Sequence, residues 1–377
     1  MKNGKRICHI TTVHSRFDAR IFHRECKSLT DAGYMVCLIA PGSEEEFIEG
    51  VHIIPVQNAK NRLYRFFVTD FTALVKAGKL NCDLYHFHDP ELIWVGVALK
   101  ILRKKVIYDV HENVSLQISS KFWIPVRLRM IVAAIFRLIE GFSVRFFDKI
   151  IVAGQDILQQ SHLKRFERKV SVVNNFPIET IRDDNLSRKK FITAKFIYSG
   201  NINEERGILE IIKAANLIIE QDFELTIMGN FENNKVRNKV LFEAKDNRKI
   251  SIYPAVPYEE LFNTLLEYNV GMICFKPTPN NLGAIYGRNN KIFEYLQAGL
   301  AIIASDLPGW KDFVCDNEVG VVANPNDPAS IAEAMRYLIL NKNILKRMSK
   351  NSRNLSLKYS WKSQSEALIK AYREVLS

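Results

Sequence analysis

The run from Leu300 to Ala304 is the feature of the sequence that most restricts the fold. Its residues are all apolar, and a short run of this kind predicts a strand buried on both faces, as in a parallel sheet covered by helices. The helix-forming stretch KIFEYLQA precedes it and ends at Gly299, a residue suited to the left-handed turn that closes a helix. The order of loop, helix and buried strand predicts an α/β protein.

The same alternation of strands and helices runs through both halves of the chain. Residues 6–13 and 35–40 are predicted strands on either side of a helix at 20–32, which is a β-α-β opening. Residues 178–192 lose the pattern and carry charge, so we place a linker there. A chain of 377 residues fits two domains of ordinary size. We predict two doubly wound, Rossmann-like domains, at 1–177 and 178–360, followed by a final helix at 361–377.

Composition and charge narrow the class of protein. The chain is 47% apolar and 25% charged, which is typical of a globular protein with a real core. Its six cysteines are scattered without a C-x-x-C pair, and its first residues do not resemble a signal peptide, so we expect a cytoplasmic protein. The net charge of +12 suits nucleic acid, an anionic membrane or phosphorylated ligands. Nucleic acid is disfavoured because no nucleic-acid-binding motif is present.

Polar residues follow the predicted strands at their carboxyl ends, where open parallel sheets bind ligands. These positions are His14 to Arg20, His88-Asp89, His111-Glu112, Gly200 to Gly207, Gly229-Asn230, Lys276-Pro277 and Ser305-Asp306. Because they fall on two domains, we expect a ligand cleft between the domains. The first turn, HSRFDARIF, contains no glycine, which argues against a dinucleotide-dependent dehydrogenase.

Two stretches of the second half suit a phosphorylated ligand. The segment GNINEERG follows a strand and opens a helix, so free N–H groups and Arg206 can bind phosphate. In the helix that begins near Asn290, Lys291 and Glu294 lie three residues apart and can share one face. A cation there suits phosphate and a carboxylate suits sugar hydroxyls. The alternative is an ordinary surface helix with a Lys–Glu pair.

The stretch NKIFEYLQAGLAIIASDLPGW resembles the carboxyl-terminal signature of family 4 retaining glycosyltransferases (glycosyl transferases group 1). These enzymes use nucleotide-sugar donors on the GT-B fold, in which two Rossmann-like domains face each other across a cleft. The resemblance implies that Glu294 contacts the nucleotide ribose. The first Glu of the family's Glu-x7-Glu motif is replaced by Tyr286, whose phenol can still bond a hydroxyl.

The segment GNINEERG is similar to the family's diphosphate-binding segment. Arg206 keeps the charge of one family cation, whereas Asn201 replaces the other, and Arg288 or Lys291 is a hypothetical substitute. The donor-binding residues implied by the resemblance are Gly200, Asn201, Arg206, Tyr286, Gly287, Arg288, Asn290, Lys291 and Glu294. The resemblance also implies that the final helix returns to the first domain.

In the first half, His111 resembles the family histidine that faces the donor sugar; the alternative is a histidine that caps a strand end. The opening ITTVHSRFDARIF is similar to a subgroup in which Asp18 and Arg20 lie near donor or acceptor. With His88 and Asp89 they form the expected acceptor side. His86, His88 and His111 could be imagined as a metal site, but the fold resembled is metal-independent. We therefore expect neither metal nor cofactor.

Residues 121–147 are apolar, aromatic and basic. Their arginines, at positions 127, 129, 137 and 145, interrupt the segment too often for a membrane span. A basic helix with aromatic residues can lie on a bilayer that contains anionic lipids. The alternative is a helix packed on the sheet whose arginines reach water. The first alternative, with the basic net charge, predicts a location at the inner face of the cell membrane.

The leading hypothesis is a retaining, metal-independent, hexosyltransferase-type enzyme. It would move a sugar from a UDP- or GDP-linked donor to a lipid-linked saccharide in surface polysaccharide biosynthesis, with His111, Arg206, Lys291 and Glu294 as catalytic residues. One alternative, motivated by Tyr286 and Asn201, is a non-catalytic nucleotide-sugar-binding partner on the same fold. The other is a nucleotide-sugar epimerase.

Overall fold

A computed structural model describes residues 4–120, 124–179, 191–278, 281 and 290–377. Contacts divide these residues into two units. Unit 1 contains residues 4–175 and 361–377, and unit 2 contains the described residues between 176 and 360. The predicted boundary after residue 177 lies two residues beyond the observed one, and most of the predicted linker, residues 180–190, lies outside the described residues.

Unit 1 is built on a sheet of eight strands in the order β3-β4-β2-β1-β5-β6-β7-β8. The strands are β1 (Arg6–Ile10), β2 (Met35–Pro41), β3 (Glu46–Ile48), β4 (Val51–Val56), β5 (Leu84–Phe87), β6 (Lys105–Val110), β7 (Lys149–Val152) and β8 (Val170–Val172). All pair in parallel except β3, which is antiparallel to β4. The apolar runs of β1, β2 and β5 are buried on both faces, as expected for a covered parallel sheet.

Strand β3 was absent from the sequence prediction because the acidic stretch around it hides any alternation. Its pairing with β4 depends on a two-residue turn, Glu49-Gly50, in which both residues have positive φ (47° and 80°). This geometry matches the tight turns that connect antiparallel strands, and Ile48 accordingly pairs with Val51.

The helices of unit 1 include two segments with π-helical turns. The helical segments are Ile21–Cys26 (π) leading into α1 (Lys27–Asp31), α2 (Arg62–Tyr64), Arg65–Thr69 (π), α3 (Asp70–Leu80), Pro90–Leu92 (3-10), α4 (Ile93–Ile101), α5 (Val114–Ser120), α6 (Val126–Ser143), α7 (Gln155–Gln160) and His162–Lys169 (3-10). The predicted membrane segment 121–147 therefore corresponds to α6, which begins after Pro125, while residues 121–123 lie outside the described residues.

Unit 2 has a six-stranded, fully parallel sheet in the order β11-β10-β9-β12-β13-β14. Its strands are β9 (Ala194–Ser199), β10 (Phe223–Met228), β11 (Ile250–Tyr253), β12 (Val270–Ile273), β13 (Ala301–Ser305) and β14 (Gly320–Ala323). Its helices are Glu204–Arg206 (3-10), α8 (Ile208–Asn216), α9 (Asn234–Ala244), α10 (Tyr258–Leu265), α11 (Asn290–Gln297), α12 (Trp310–Asp316), α13 (Pro328–Leu340) and α14 (Lys342–Ser356). The apolar run that opened the sequence argument is β13, buried throughout.

The last helix, α15 (Trp361–Leu376), begins at the predicted residue and ends one residue before the predicted end. It packs within unit 1, where the Trp361 indole donates to Ser28 Oγ at 2.8 Å and the Gln364 Oε1 atom accepts from the Asn174 backbone N–H at 2.7 Å. The two parallel sheets covered by helices confirm the predicted fold class. Among the described residues, no helix has the length and apolar character needed to cross a bilayer.

Candidate functional site

Helix α11 is fixed to the carboxyl edge of the unit 2 sheet through Tyr295. The Tyr295 hydroxyl accepts a hydrogen bond from the Ser199 backbone N–H at 2.9 Å, at the last residue of β9. The Tyr295 ring lies against Gly271 so closely that a Cβ there would be 2.1 Å from it. The amino-terminal residues of α11 are thereby held beside the loop that follows β9.

That loop begins at Gly200, whose φ of +124° is a conformation that residues with a side chain rarely adopt. A Cβ at Gly200 would also lie 3.2 Å from the Lys291 ammonium nitrogen. The loop ends in a single 3-10 turn, which Asn203 Oδ1 caps by accepting from the Arg206 backbone N–H at 3.1 Å. Gly200 leaves room for the Lys291 side chain, and the capped turn fixes the position of Arg206. The side chains of Arg206 and Lys291 therefore lie next to each other.

Arg206 and Lys291 form a pair of neighbouring cations. The Arg206 guanidinium lies 4.2 Å from the centre of the Phe275 ring, and the Lys291 ammonium lies 3.6 Å from the Tyr198 ring and 5.2 Å from Phe275. Burial and the Arg206 charge lower the pKa of Lys291 well below its usual value, partly offset by Glu294. Among the described residues, neither cation has a carboxylate within ion-pair distance.

Nearby basic side chains are paired in the ordinary way. Lys276 binds Glu210 at 2.8 Å, and Lys239 binds Glu204 at 2.5 Å. The contrast makes the Arg206–Lys291 pair a candidate anion site, because two adjacent partly buried cations are stabilised by a negative ligand.

The other predicted donor residues fall into two groups. Glu294, on α11, is buried at 7% exposure, and the Oδ1 atom of Asn290 is buried without a hydrogen-bond partner among the described residues. Asn201 is exposed, and its carbonyl accepts from the Tyr198 hydroxyl at 2.5 Å. Tyr286, Gly287 and Arg288 lie outside the described residues.

In unit 1, the predicted site residue His111 is held in place by Asp109. The Asp109 Oδ2 atom lies 2.8 Å from His111 Nε2 and 3.1 Å from His88 Nδ1. The Arg20 guanidinium donates to both Asp109 oxygens at 3.1 Å and to the Val173 carbonyl at 2.9 Å. Burial alone would raise the pKa of Asp109, but Arg20 and His111 hold it well below its usual value. Asp109 is therefore an ionised acceptor.

The expectation that Arg20, His88 and Asp89 face an acceptor needs correction, because all three are buried at 3% exposure or less. Their polar atoms are occupied within unit 1. Asp89 Oδ2 accepts from the Thr11 hydroxyl and from the backbone N–H groups of Thr12 and Val13, which fixes the loop after β1. These residues therefore stabilise the loop and the side chains around the candidate site and do not line it.

Asp18 is half-buried and stays closer to the predicted role. Its Oδ1 atom accepts from the backbone N–H groups of Arg20 and Ile21, and its Oδ2 atom lies 3.6 Å from His14 Nδ1. Burial would lower the pKa of His14, but the Asp18 and Asp89 carboxylates raise it. The pair of Asp18 and His14 thus presents charge at the carboxyl end of β1.

Three further polar residues of this cluster escaped the sequence prediction: His9, Glu25 and Tyr372. His86, considered above as a metal ligand, belongs to the cluster as well, and all four residues are buried. The Tyr372 hydroxyl lies 2.6 Å from His86 Nδ1 and 3.0 Å from His9 Nε2, and His9 Nδ1 lies 2.9 Å from His88 Nε2. Burial lowers the pKa of the three histidines, and burial with the Asp109 charge raises the pKa of Glu25 well above its usual value. The sequence signal that could have revealed the cluster was the presence of a histidine within a predicted strand that is buried on both faces.

Two groups in this cluster have the composition of a metal site. His9, Glu25, His86 and His88 offer ligand atoms within 4.8 Å of one another, as do His88, Asp109 and His111. The 2.9 Å between His9 Nδ1 and His88 Nε2 fits a hydrogen bond between the two rings, with one hydrogen between them. A metal would need the lone pairs of both nitrogens and would take the place of that hydrogen.

In a comparison with known proteins, each unit matches a family of glycosyltransferases. Residues 178–355 match the family described as glycosyl transferases group 1, and residues 19–176 match glycosyltransferase family 4. A curated relative, the uncharacterized glycosyltransferase MJ1069 of Methanocaldococcus jannaschii, is 23% identical over 206 residues, which is 52% of this chain and 49% of the relative. The chain thus matches about half the length of that relative.

Solved structures agree on the fold. A glycosyltransferase from Rickettsia africae ESF-5 has a TM-score of 0.72 at 16% identity, covering 100% of this chain and 99% of its own. Alr3699/HepE of Anabaena, solved in complex with UDP-glucose, has a TM-score of 0.72 at 10% identity and covers 98% of this chain and 99% of its own.

Proposed function

The chain belongs to the family 4 glycosyltransferases of GT-B fold, and we propose that it moves a sugar from a nucleoside-diphosphate sugar to a saccharide acceptor with retention of configuration. In this proposal the reaction needs no metal and no cofactor, because protein cations take the charge that a metal would otherwise carry. The observation that carries the proposal is the pair of adjacent cations, Arg206 and Lys291, without a carboxylate partner among the described residues.

The chemistry follows from charge. When the sugar leaves, the diphosphate gains negative charge, and donors already in place stabilise that charge better than water, which must first reorient. Arg206 and Lys291 rest on the Phe275 ring, so they need no reorganisation before they meet the diphosphate. Glu294, one turn further along α11, can accept hydrogen bonds from ribose hydroxyls. The family resemblance gives His111 the role of binding the donor sugar.

The acceptor proposal rests on an apolar and basic surface of unit 1. On α6, several large apolar side chains are at least half exposed: Met130, Ile131, Ile135, Leu138, Ile139 and Phe142. The one acidic residue of α6, Glu140, is buried, whereas Arg127 and Arg137 are exposed. Leu63, Phe67 and Phe71, on and between α2 and α3, are exposed in the same way.

Such a surface suits the headgroup region of a bilayer with anionic lipids. We propose on this basis that the acceptor is lipid-linked, that the enzyme works on the inner face of the cell membrane, and that its product serves surface polysaccharide biosynthesis.

Calorimetric titration with UDP, GDP and ADP tests the donor site. We expect one nucleotide to bind selectively and Lys291→Met to weaken that binding at least tenfold, since a charge-assisted contact contributes roughly 1.5–3 kcal/mol. Glu294→Ala should weaken nucleoside diphosphates more than inorganic diphosphate, because its proposed partner is ribose.

Lys276→Met is the matched control for the lysine variant. It removes a lysine from the same carboxyl edge of the sheet, but one that Glu210 already neutralises, so nucleotide affinity should stay within about twofold. Absence of binding to all three nucleotides would remove the donor-site proposal. Binding without transfer to any acceptor would instead favour the non-catalytic partner suggested by the sequence.

A further inference from the structure

The buried polar cluster of unit 1 contains a hydrogen-bonded chain whose direction can be worked out from its geometry. It runs from His86 through the Tyr372 hydroxyl, His9 and His88 to Asp109, in steps of 2.6, 3.0, 2.9 and 3.1 Å. All five side chains are buried at 2% exposure or less. Because water does not reach them, each group must be satisfied by its neighbours in the chain.

The direction is set at Asp109. Two bonds from Arg20 keep this carboxylate ionised, and an ionised carboxylate only accepts hydrogen bonds. His88 must therefore donate from Nδ1, and a neutral ring has a single N–H, so its Nε2 accepts. His9 must then donate from Nδ1, which leaves its Nε2 as an acceptor for the Tyr372 hydroxyl. The phenol oxygen in turn accepts from His86 Nδ1.

Each step allows only one placement of the hydrogen. The bond lengths are ordinary for N–H and O–H donors, and burial lowers the pKa of all three histidines, which keeps each ring neutral. The one nitrogen left over is His86 Nε2, which is buried and has no hydrogen-bond partner among the described residues. In this assignment the His86 Nε2 atom carries a lone pair, so no buried N–H donor is left without an acceptor.

The chain ends beside His111. Asp109 Oδ2 receives the bond from His88 and also the bond from His111 Nε2, at 2.8 Å. Since Asp109 accepts, the hydrogen of His111 is on Nε2. In the neutral ring, His111 Nδ1 is therefore an acceptor, and no described residue donates to it. An acceptor at this position suits a hydroxyl of a neutral sugar better than a carboxylate or a phosphate.

We infer that Tyr372, His9 and His88 are positioning residues for His111: they form one directed hydrogen-bond chain that fixes Asp109 and thereby the face that His111 presents to a sugar hydroxyl. The role given to His111 rests on the proposed transferase function. Tyr372 belongs to α15, so the last helix of the chain takes part in the site without touching a substrate.

Nitrogen-15 spectra of the protein labelled at histidine test the hydrogen placement without any substrate. We expect His9, His86 and His88 to carry their hydrogen on Nδ1 and His111 on Nε2, with assignments from single-residue variants. An Nε2 hydrogen on His9 or His88 would reverse the chain and overturn the inference. One zinc per protein after dialysis against a chelator would overturn it as well, because His9 Nδ1 and His88 Nε2 would then both be ligands.

The variant Tyr372→Phe removes one hydroxyl and keeps the ring. We expect kcat to fall about fivefold with the donor KM within twofold, since one buried hydrogen bond contributes on the order of a factor of five, and we expect the His9 and His88 signals to shift. Tyr85→Phe is the matched control: its hydroxyl is equally buried in unit 1, donates to the Ala77 carbonyl at 2.9 Å and lies outside the chain.

Equal losses of activity in both variants, with unchanged histidine spectra in Tyr372→Phe, would show a merely structural role and overturn the inference. If the protein transfers no sugar at all, the proposed function fails, but the spectra still decide whether the directed chain exists.

Discussion

The two units distribute polarity in opposite ways. Unit 1 buries a polar cluster of histidines, Arg20, Glu25 and Asp109 beneath its candidate site and exposes a broad apolar surface on α6. Unit 2 has a conventional apolar core, its exposed large apolar residues are scattered over several elements, and its cations Arg206 and Lys291 lie together at the end of the sheet.

The difference separates two uses of charge. In unit 1 each charged group of the cluster has a fixed protein partner, so the charges hold side chains in place. In unit 2 the two cations have no carboxylate partner among the described residues, so they favour an anionic ligand. Removing a charge should therefore cost folding stability in unit 1 and ligand affinity in unit 2.

The largest effect is expected from Asp109→Asn in unit 1. The substitution keeps the shape but removes the ionised partner of the buried Arg20 guanidinium and leaves it only Glu25, 2.9 Å away, whose pKa burial raises. We therefore expect the free energy of unfolding of unit 1 to fall by up to about 3–5 kcal/mol. Denaturant unfolding measures it. Asp83→Asn is the control, because Asp83 pairs with Lys5 at 3.0 Å near the surface and should lose less than about 1 kcal/mol. Equal losses would contradict the assigned role of the buried network.

The next effect concerns the exposed surface of unit 1. Arg127, Arg137 and Arg145 are exposed beside the apolar residues of α6, and each contributes about 1 kcal/mol to binding an anionic bilayer. Their combined replacement by glutamine should weaken binding to phosphatidylglycerol-containing vesicles roughly hundredfold in a sedimentation assay. Replacing Lys311, Lys350 and Lys358 of unit 2 changes net charge equally and should have little effect. If both triple variants behave alike, net charge and not this surface attracts the protein.

The smallest expected effect is the uptake of a proton by Lys291 when a diphosphate binds. The pKa of Lys291 lies below its usual value in the folded protein, so this side chain is protonated to a smaller extent there than in the unfolded chain. The contribution of Lys291 to the free energy of unfolding therefore increases as the pH rises toward 10.5. A bound diphosphate should raise that pKa again, so binding takes up at most about one proton. The calorimetric heat should then depend on the ionisation heat of the buffer, and Lys291→Met should remove that dependence. A buffer-independent heat in the unaltered protein would contradict it.

Local sequence was enough to predict most of the fold. Continuous apolar runs such as β13 are buried on both faces, and α15 begins at Trp361 as its pattern indicates. The short strand β3 was missed because its pairing depends on the Glu49-Gly50 turn rather than on apolar alternation. The π-helical turn at Ile21–Cys26 was also missed, because such turns are rare in proteins.

The candidate site was only partly predictable. Arg206, Lys291 and Glu294 could be predicted as candidates, because each lies next to a recognisable turn or helix end and the family resemblance gives Arg206 and Glu294 a role. His9 and Tyr372 could not, because their roles depend on a contact between residues 363 positions apart in the chain. Arg20 was placed too near the surface, since a sequence does not reveal that a loop arginine folds inward onto Asp109.

The assignment of α15 to unit 1 has a consequence for synthesis. The ribosome makes residues 176–360 between the two parts of unit 1, which takes on the order of ten seconds or more at roughly 5–20 residues per second. During that interval His9 and His86 lack the Tyr372 hydroxyl, and Ser28 lacks the Trp361 indole. Unit 2, whose described residues all fall between 176 and 360, can be finished first. Unit 1 is therefore the first unit to be started and the last to be completed. In a nascent chain that stalls before Trp361, the histidines that α15 contacts in the finished protein stay accessible to the chaperones and proteases of the cell.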